Sequence, residues 1–310
     1  MILCCGEALI DMIPAPTLTG ADGFVPHVGG AIFNTAIALG RLGAPTGMLT
    51  GLSTDMFGQQ LAAALGESQV DTSRIITSDR PTTLAFVRLD GGHATYTFFD
   101  ERSAGRMLTP QDMPVLNADV SALYLGGISL ACEPGADAYA ALLKSEGPNR
   151  PVMIDPNIRP GFIDDVSAYR ARLDTAMTQA DVVKVSDEDL GWLVSGQAPL
   201  KDKAMTLLDR GPAAVILTRG GKGATGYLKS GAEVDVPALR AEVVDTVGAG
   251  DTFNAGVLAN LHETGNLTKT GVSEMSPEVL RRAIEFGAKV AAITVSRAGA
   301  NPPWASEVAG

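Results

Sequence analysis

The strongest constraint on the fold is a recurrent alternation: short apolar runs closed by Gly, Asp or Pro take turns with longer helix-like segments along the whole chain. The runs Ile2–Cys5, Thr46–Leu52, Ala122–Leu125, Val152–Ile154, Val182–Val185 and Val215–Thr218 read as buried strands. Between and after them, Phe33–Leu42, Gln59–Leu65, Asp137–Lys144, Tyr169–Ala180, Lys201–Asp209, Thr252–His262 and Pro277–Val295 read as helices. Strands buried on both faces carry continuous apolar runs, and the strand–helix–strand rhythm makes them parallel. The expectation is a doubly wound, mainly parallel α/β sheet flanked by helices. No repeat, low-complexity tract or hydrophilic linker divides the chain, so residues 1–310 are expected to form one domain.

One region departs from the rhythm. Thr82–Arg88 and Ala94–Asp100 carry β-favouring residues on both sides of Asp90-Gly91-Gly92, which predicts a hairpin. Gly23–Val28 supplies another candidate strand. Strands inserted at roughly 12–28 and 82–101 would build a small sheet standing off the core. Such a sheet is either a lid over the carboxyl edge of the main sheet, where doubly wound folds bind ligands, or a decorative hairpin.

The formal net charge is -11. That sign repels phosphate backbones and anionic headgroups, so neither nucleic acid nor membrane is expected as a partner. Cys4, Cys5 and Cys132 show no metal spacing, and a bridge between adjacent residues would be strained, so free buried thiols in a reducing cytoplasm are expected. The first residues lack a basic segment, the apolar run breaks at Glu7, and no stretch reaches the length of a membrane span. A cytoplasmic protein is expected.

The segment Asp245-Thr-Val-Gly-Ala-Gly-Asp-Thr-Phe253 carries the chemistry. Gly248, Ala249 and Gly250 are small residues in a turn that enters a helix near Thr252. Unpaired amides and the helix dipole make such a junction an anion cradle. Asp251 at its rim is either the helix N-cap or a base for phosphoryl transfer, and one carboxylate can serve both. Upstream, Gly29-Gly30-Ala-Ile-Phe-Asn34 leads an Ala-rich helix ending at Arg41-Leu-Gly43. A glycine pair admits a ligand close to backbone, and Asn34 offers a donor and an acceptor to vicinal hydroxyls, unless it simply caps.

These two segments, in this order and about two hundred residues apart, resemble the paired signatures of the PfkB, or ribokinase-like, carbohydrate kinases. Further segments extend the likeness over essentially the whole length. Gly6-Glu-Ala-Leu-Ile-Asp11 resembles the family's first strand, whose terminal Asp binds sugar hydroxyls. Asp155-Pro-Asn157-Ile-Arg159-Pro160 resembles a segment near the phosphates, and Thr218-Arg-Gly220-Gly-Lys-Gly223 resembles the nucleotide turn. Phe99-Asp-Glu-Arg102-Ser-Ala-Gly-Arg106 and Lys184-Val-Ser-Asp-Glu-Asp189 look most like bacterial fructokinases.

The resemblance implies a ribokinase-like fold with a β-sheet lid, and ATP-dependent phosphorylation of a primary hydroxyl, first of all on fructose. It implies Asp251 as base with Gly248, Ala249 and Gly250 as anion hole. Sugar contacts would come from Asp11, Gly29, Gly30, Asn34, Phe99, Arg102 and Arg159. ATP contacts would come from Asn157, Lys184, Thr218, Gly220, Gly223 and Gly250. Mg2+ would be held through water by Asp189 or Glu188. K+ beside Asp245 and Val247 is left open, because the Gly299-Ala-Asn-Pro-Pro303 loop ends in Pro where relatives offer a hydroxyl. A homodimer through the lid is a further expectation.

Two departures stand out. The family's Asn-x-x-Glu reads Ser186-Asp-Glu-Asp189 here, and the helix that often presents Asn to adenine reads Phe286-Gly-Ala288. Rival readings are a 2-keto-3-deoxygluconate kinase, a ribokinase or nucleoside kinase, and a non-catalytic sugar-binding protein of the same fold. Gly221-Lys-Gly223-Ala-Thr-Gly226 fits a dinucleotide fingerprint, but a hairpin-like stretch follows it where a helix is required. No P-loop is present, and His27, His93 and His262 lack ligand spacing.

Overall fold

The computed structural model describes residues 1–90 and 93–309. Its main sheet is built from β1 (Ile2–Cys5), β4 (Thr46–Leu49), β9 (Ala122–Gly126), β10 (Val152–Asp155), β11 (Val182–Ser186), β12 (Ala214–Thr218), β13 (Ala224–Leu228) and β14 (Glu233–Val236). The strands lie in the order β14-β13-β12-β11-β10-β9-β1-β4. From β12 to β4 every pairing is parallel, and β13 and β14 close one edge as an antiparallel hairpin. The doubly wound, mainly parallel architecture expected from the sequence is present. So is the hairpin that disqualified the dinucleotide fingerprint.

Side-chain alternation along β1 shows why the runs are continuously apolar. Ile2 and Cys4 enter one core, with α1 (Ala31–Arg41), α2 (Met56–Glu67), α7 (Ala249–Glu263), α8 (Lys269–Ser273) and α9 (Pro277–Val295). Leu3 and Cys5 enter the other, with α3 (Gly135–Glu146), α4 (Val166–Met177), α5 (Asp187–Leu193) and α6 (Leu200–Leu208). The two adjacent thiols therefore face opposite sides of the sheet. All three cysteines are free and buried, and burial pushes their pKa values up. Among the described residues, no helix is long and apolar enough to cross a membrane.

Several boundaries differ from expectation for identifiable reasons. The run 46–52 divides, because a Cβ on Gly51 would collide with the backbone of Ala104. There the chain leaves the main sheet and pairs β5 (Gly51–Ser53) with β6 (Ile76–Ser78). The helix α5 was not anticipated. Ser186 is its N-cap, its Oγ accepting the Asp189 N–H at 3.0 Å, so the departure at 186–189 is a helix start. Gly287 is explained by the crossing of α7 and α9, where a Cβ on Gly256 would lie 2.6 Å from the Gly287 Cα. Only glycine at both positions lets these helices approach so closely.

A second sheet of four strands, in the order β3-β2-β7-β8, stands apart from the main one. Here β2 (Leu9–Pro16) pairs antiparallel with β3 (Asp22–Gly29) and parallel with β7 (Leu84–Asp90), which pairs antiparallel with β8 (His93–Phe99). The sequence missed the start of β2 at Leu9. The Gly91-Gly92 turn expected in the second hairpin lies outside the described residues. The base of this sheet buries Leu9 and Ala85 against Ile128, Cys132 and Phe162. Phe98 packs on Phe162 with ring centroids 4.0 Å apart. Beneath it, the buried Asp100 carboxylate accepts hydrogen bonds from the hydroxyls of Thr83 at 2.6 Å and Ser103 at 2.8 Å.

Candidate active site

The parallel strands end on one edge of the main sheet, and there the N-termini of α1 and α7 open into one cavity of about 350 Å3 roofed by the small sheet. Asp251 lies on its wall. The helix α7 begins at Ala249, three residues earlier than the sequence suggested, with Gly248 as N-cap at φ 77° and no side-chain cap. Asp251 therefore occupies the third helical position and does not cap. Its Oδ2 instead accepts a hydrogen bond from Asn34 Nδ2 at 2.9 Å. The Thr35 hydroxyl donates to the Asp251 carbonyl at 3.1 Å, so two consecutive residues of α1 pin the first turn of α7.

Asp251 is only 8% exposed. Burial raises its pKa from 3.8 to about 7, partly opposed by the Asn34 hydrogen bond. Such a carboxyl exchanges a proton near neutrality, as a general base must. Beside it, the Ala249 N–H donates to Thr246 O at 3.3 Å, whereas those of Gly248, Gly250 and Asp251 have no protein acceptor among the described residues. Of the expected Gly248–Gly250 set, Gly248 and Gly250 keep free amides, Ala249 is paired, and Asp251 adds a further one. Gly248 is required by its positive φ and by Ala300, whose Cβ would lie 2.7 Å from an added Cβ.

Lys184 and Asp155 form the floor. Lys184 Nζ lies 2.9 Å from Asp155 Oδ2, with the side chains 7% and 1% exposed. Asn254 Nδ2 donates to the same Oδ2 at 2.8 Å and to Tyr124 Oη at 2.9 Å. Removing either partner of so buried a pair leaves an uncompensated charge, which costs about 3–5 kcal/mol. Lys184 approaches Gly250, where an added Cβ would sit 3.3 Å from Nζ. A cation and a group of free amides therefore converge beside a titratable carboxylate, an arrangement that can receive a phosphoryl group.

Asp11, Gly30, Asn34, Asn157 and Arg159 also line the cavity. Burial raises the Asp11 pKa to about 6. Gly29 faces it from the neighbouring strand, and any Cβ there would overlap the Asp11 carboxylate. Gly30, at φ 107°, adopts a conformation that side chains resist. Asn157 also has positive φ, at 41°.

Other expected residues lie elsewhere. Phe98, not Phe99, lines the cavity: adjacent strand residues face opposite ways, and Phe99 is 55% exposed against Phe86 on the outer face. Arg102 is exposed and outside the lining. Thr218 ends β12, and Gly220 and Gly223 lie in the turn after it; none of the three is part of the cavity lining. Gly223 there packs against the Val236–Ala238 backbone with no room for a Cβ. The sequence reading missed Glu7, Asp155, Asn254 and Tyr124. The first three stand inside the quoted motifs or beside them, but only tertiary contact reveals what they touch.

Among the described residues no three acidic, His or Cys side chains converge to hold a metal ion. Asp189 is buried, its Oδ1 accepts the Ile158 N–H at 3.0 Å, and Glu188 is exposed. Neither lines the cavity, so either would reach Mg2+ only through water, the ion taking its other ligands from substrate phosphates. The Asp245 carboxylate accepts N–H groups from Val247 at 3.0 Å and Gly299 at 2.9 Å, tying the 299–302 loop to the turn before α7.

The chain matches the model of the pfkB family carbohydrate kinases over residues 1–307. It is 50% identical over 281 residues to a fructokinase of Rhizobium leguminosarum bv. trifolii, covering 91% of this chain and 86% of the relative. A crystal structure of fructokinase with bound ATP from Xylella fastidiosa superposes with a TM-score of 0.90 at 28% identity, covering 99% of this chain and 96% of that one. A Vibrio cholerae O395 fructokinase bound to fructose, ADP and calcium ion gives 0.82 at 25% identity, covering 96% and 94%. With the two signature segments brought to one cavity and the family model spanning nearly every residue, this chain belongs to the pfkB family of carbohydrate kinases.

Proposed function

We propose that the protein transfers the γ-phosphoryl group of ATP to a primary hydroxyl of fructose, giving fructose 6-phosphate, with Asp251 as the general base. One observation carries the mechanism: a buried carboxyl with a pKa of about 7 shares a cavity wall with the free amides at the start of α7. The fructose assignment rests on the 50% identical relative and on the fructose-bound structural neighbour.

In this reading Asp11, Gly30, Asn34 and Arg159 orient the sugar, with Phe98 as the apolar contact. Asp251 accepts the hydroxyl proton as that oxygen attacks, and the Gly250 and Asp251 amides with Lys184 stabilise charge on the moving phosphoryl group. ATP extends from there toward the Thr218–Gly223 turn, past Asn157. Mg2+, held through water by Asp189 or Glu188, would neutralise phosphate charge. A monovalent cation beside Asp245 and Val247 remains part of the proposal, checked by comparing rates in K+ and Na+.

Residues 1–310 act as one domain, with the small sheet as a lid whose closure excludes water. Phe24 and Phe99, 45% and 55% exposed, flank Phe86 on the outer face of that sheet, where a second copy of the chain would dock. Three free buried thiols suit a reducing cytoplasm.

The test is coupled ADP release over fructose, ribose, glucose, 2-keto-3-deoxygluconate and adenosine, with wild type and Asp251→Asn. Fructose should be turned over fastest, and the variant should bind fructose yet lose most turnover. Faster turnover of another acceptor would refute the substrate, and an active Asp251→Asn variant would refute the base.

A further inference from the structure

Two helix N-termini open into the same cavity, and the protein treats them differently. At α7 the Gly250 and Asp251 amides of the first turn are bare. At α1 they are filled by a residue distant from the helix: Glu7 Oε1 accepts the Ala31 N–H at 3.1 Å, and the Glu7 carbonyl accepts the Phe33 N–H at 3.2 Å. Gly30, the N-cap, has no side chain to offer, so Glu7 substitutes for it from the end of β1. Its other oxygen, Oε2, accepts the Ser129 hydroxyl and, at 3.4 Å, the Ser129 N–H. Gly127 comes so close that any Cβ on it would overlap the Glu7 carboxylate.

Glu7 lines the cavity, yet both its carboxylate oxygens are engaged by protein groups, so it is poorly placed to bind sugar. What it fixes is the start of α1, and one turn later that helix carries Asn34 and Thr35, the two residues that hold Asp251. A contiguous chain of contacts therefore runs from Ser129 through Glu7 and the first turn of α1 to the base.

We propose that Glu7 is a positioning residue for phosphoryl transfer, capping α1 from outside the helix so that Asn34 and Thr35 hold Asp251 at the attacking hydroxyl. The inference rests on the reading of Asp251 as base. Because α1 is filled by a carboxylate, the N-terminus of α7 is also the one left free for an anion.

The experiment compares Glu7→Ala, Glu7→Gln, Ser129→Ala and Asp251→Asn in steady-state kinetics, with fructose affinity by calorimetry and Tm by scanning calorimetry. Misplacing a reacting group by about 1 Å costs on the order of 100-fold. Glu7→Ala should accordingly lower kcat roughly 10- to 100-fold while fructose affinity changes less than about 3-fold. Glu7→Gln should restore most of kcat, because its amide oxygen can still accept the Ala31 N–H. A wild-type kcat in Glu7→Ala, or a loss confined to fructose affinity, overturns the proposal. If Glu7→Ala does not fold, Ser129→Ala decides: a several-fold drop in kcat at unchanged fructose affinity supports the proposal, and unchanged kcat refutes it. Asp251→Asn separates the two readings: an active variant removes the base, whereas an inactive one beside a fully active Glu7→Ala removes only the role of Glu7.

Discussion

Asp251→Asn should stabilise the protein at alkaline pH while removing most of its turnover. In the folded protein the Asp251 carboxyl holds its proton up to a pKa of about 7, against an ordinary value of 3.8, because burial disfavours its charged form. Between those two values the folded state binds more protons than the unfolded state. The stability associated with this group is therefore fully present below pH 3.8 and lost as pH rises through about 7. A shift of roughly three units at 1.36 kcal/mol each gives an upper limit of about 4 kcal/mol. Asparagine never ionises and escapes that loss. Urea unfolding of both proteins at pH 5 and pH 8.5 isolates the effect, since the other buried carboxyls are common to both. The variant should gain on wild type by about 2–3 kcal/mol between the two pH values, because at pH 5 roughly one of the three units is already lost. An unchanged stability difference would show that Asp251 has an ordinary pKa, and the argument for a base tuned to neutrality would fail with it.

Three further outcomes follow from the same geometry. Gly248→Ala forces a left-handed conformation, at about 1–2 kcal/mol, and brings its Cβ to 2.7 Å from the Ala300 Cβ; calorimetry should show a Tm lower by a few degrees, and displaced amides should lower kcat roughly 100-fold. Fructose affinity, measured by calorimetry without ATP, should weaken as pH falls through about 6, because protonated Asp11 loses an acceptor for sugar hydroxyls; Asp11→Asn should bind weakly at every pH. Phe98→Ala should raise the fructose KM roughly 10-fold while Phe99→Ala leaves it near wild type, and the reverse result would refute the assigned facing of β8.

Legibility varied with the range of the interaction. Buried strands were readable because both faces of the sheet need apolar residues, so runs such as 122–125 contain nothing else. Boundaries that depend on another segment were not. Gly51 ends a strand because of Ala104, and Gly256 and Gly287 need one another across α7 and α9. Ser186 was read only as a departure from the family's Asn-x-x-Glu, although a Ser-x-x-Asp pattern before an apolar helix face is also a capping signal, and that is how the chain uses it.

The candidate site divides in the same way. Local order was enough to find the glycine turn at 248–250, Asp251 and Asn34, because a backbone cradle and its neighbouring side chains are contiguous in the chain. Which group meets which was decided by the tertiary structure alone: Asn34 Nδ2 lies on Asp251 across 217 positions, Lys184 on Asp155 across 29, and Ser129 on Glu7 across 122. Burial at those meeting points, absent from any short segment, lifts the Asp251 pKa to about 7. The chain's order therefore determined the kind of chemistry available, and packing decided its geometry and operating pH, because hydrogen-bond partners and desolvation belong to the assembled fold.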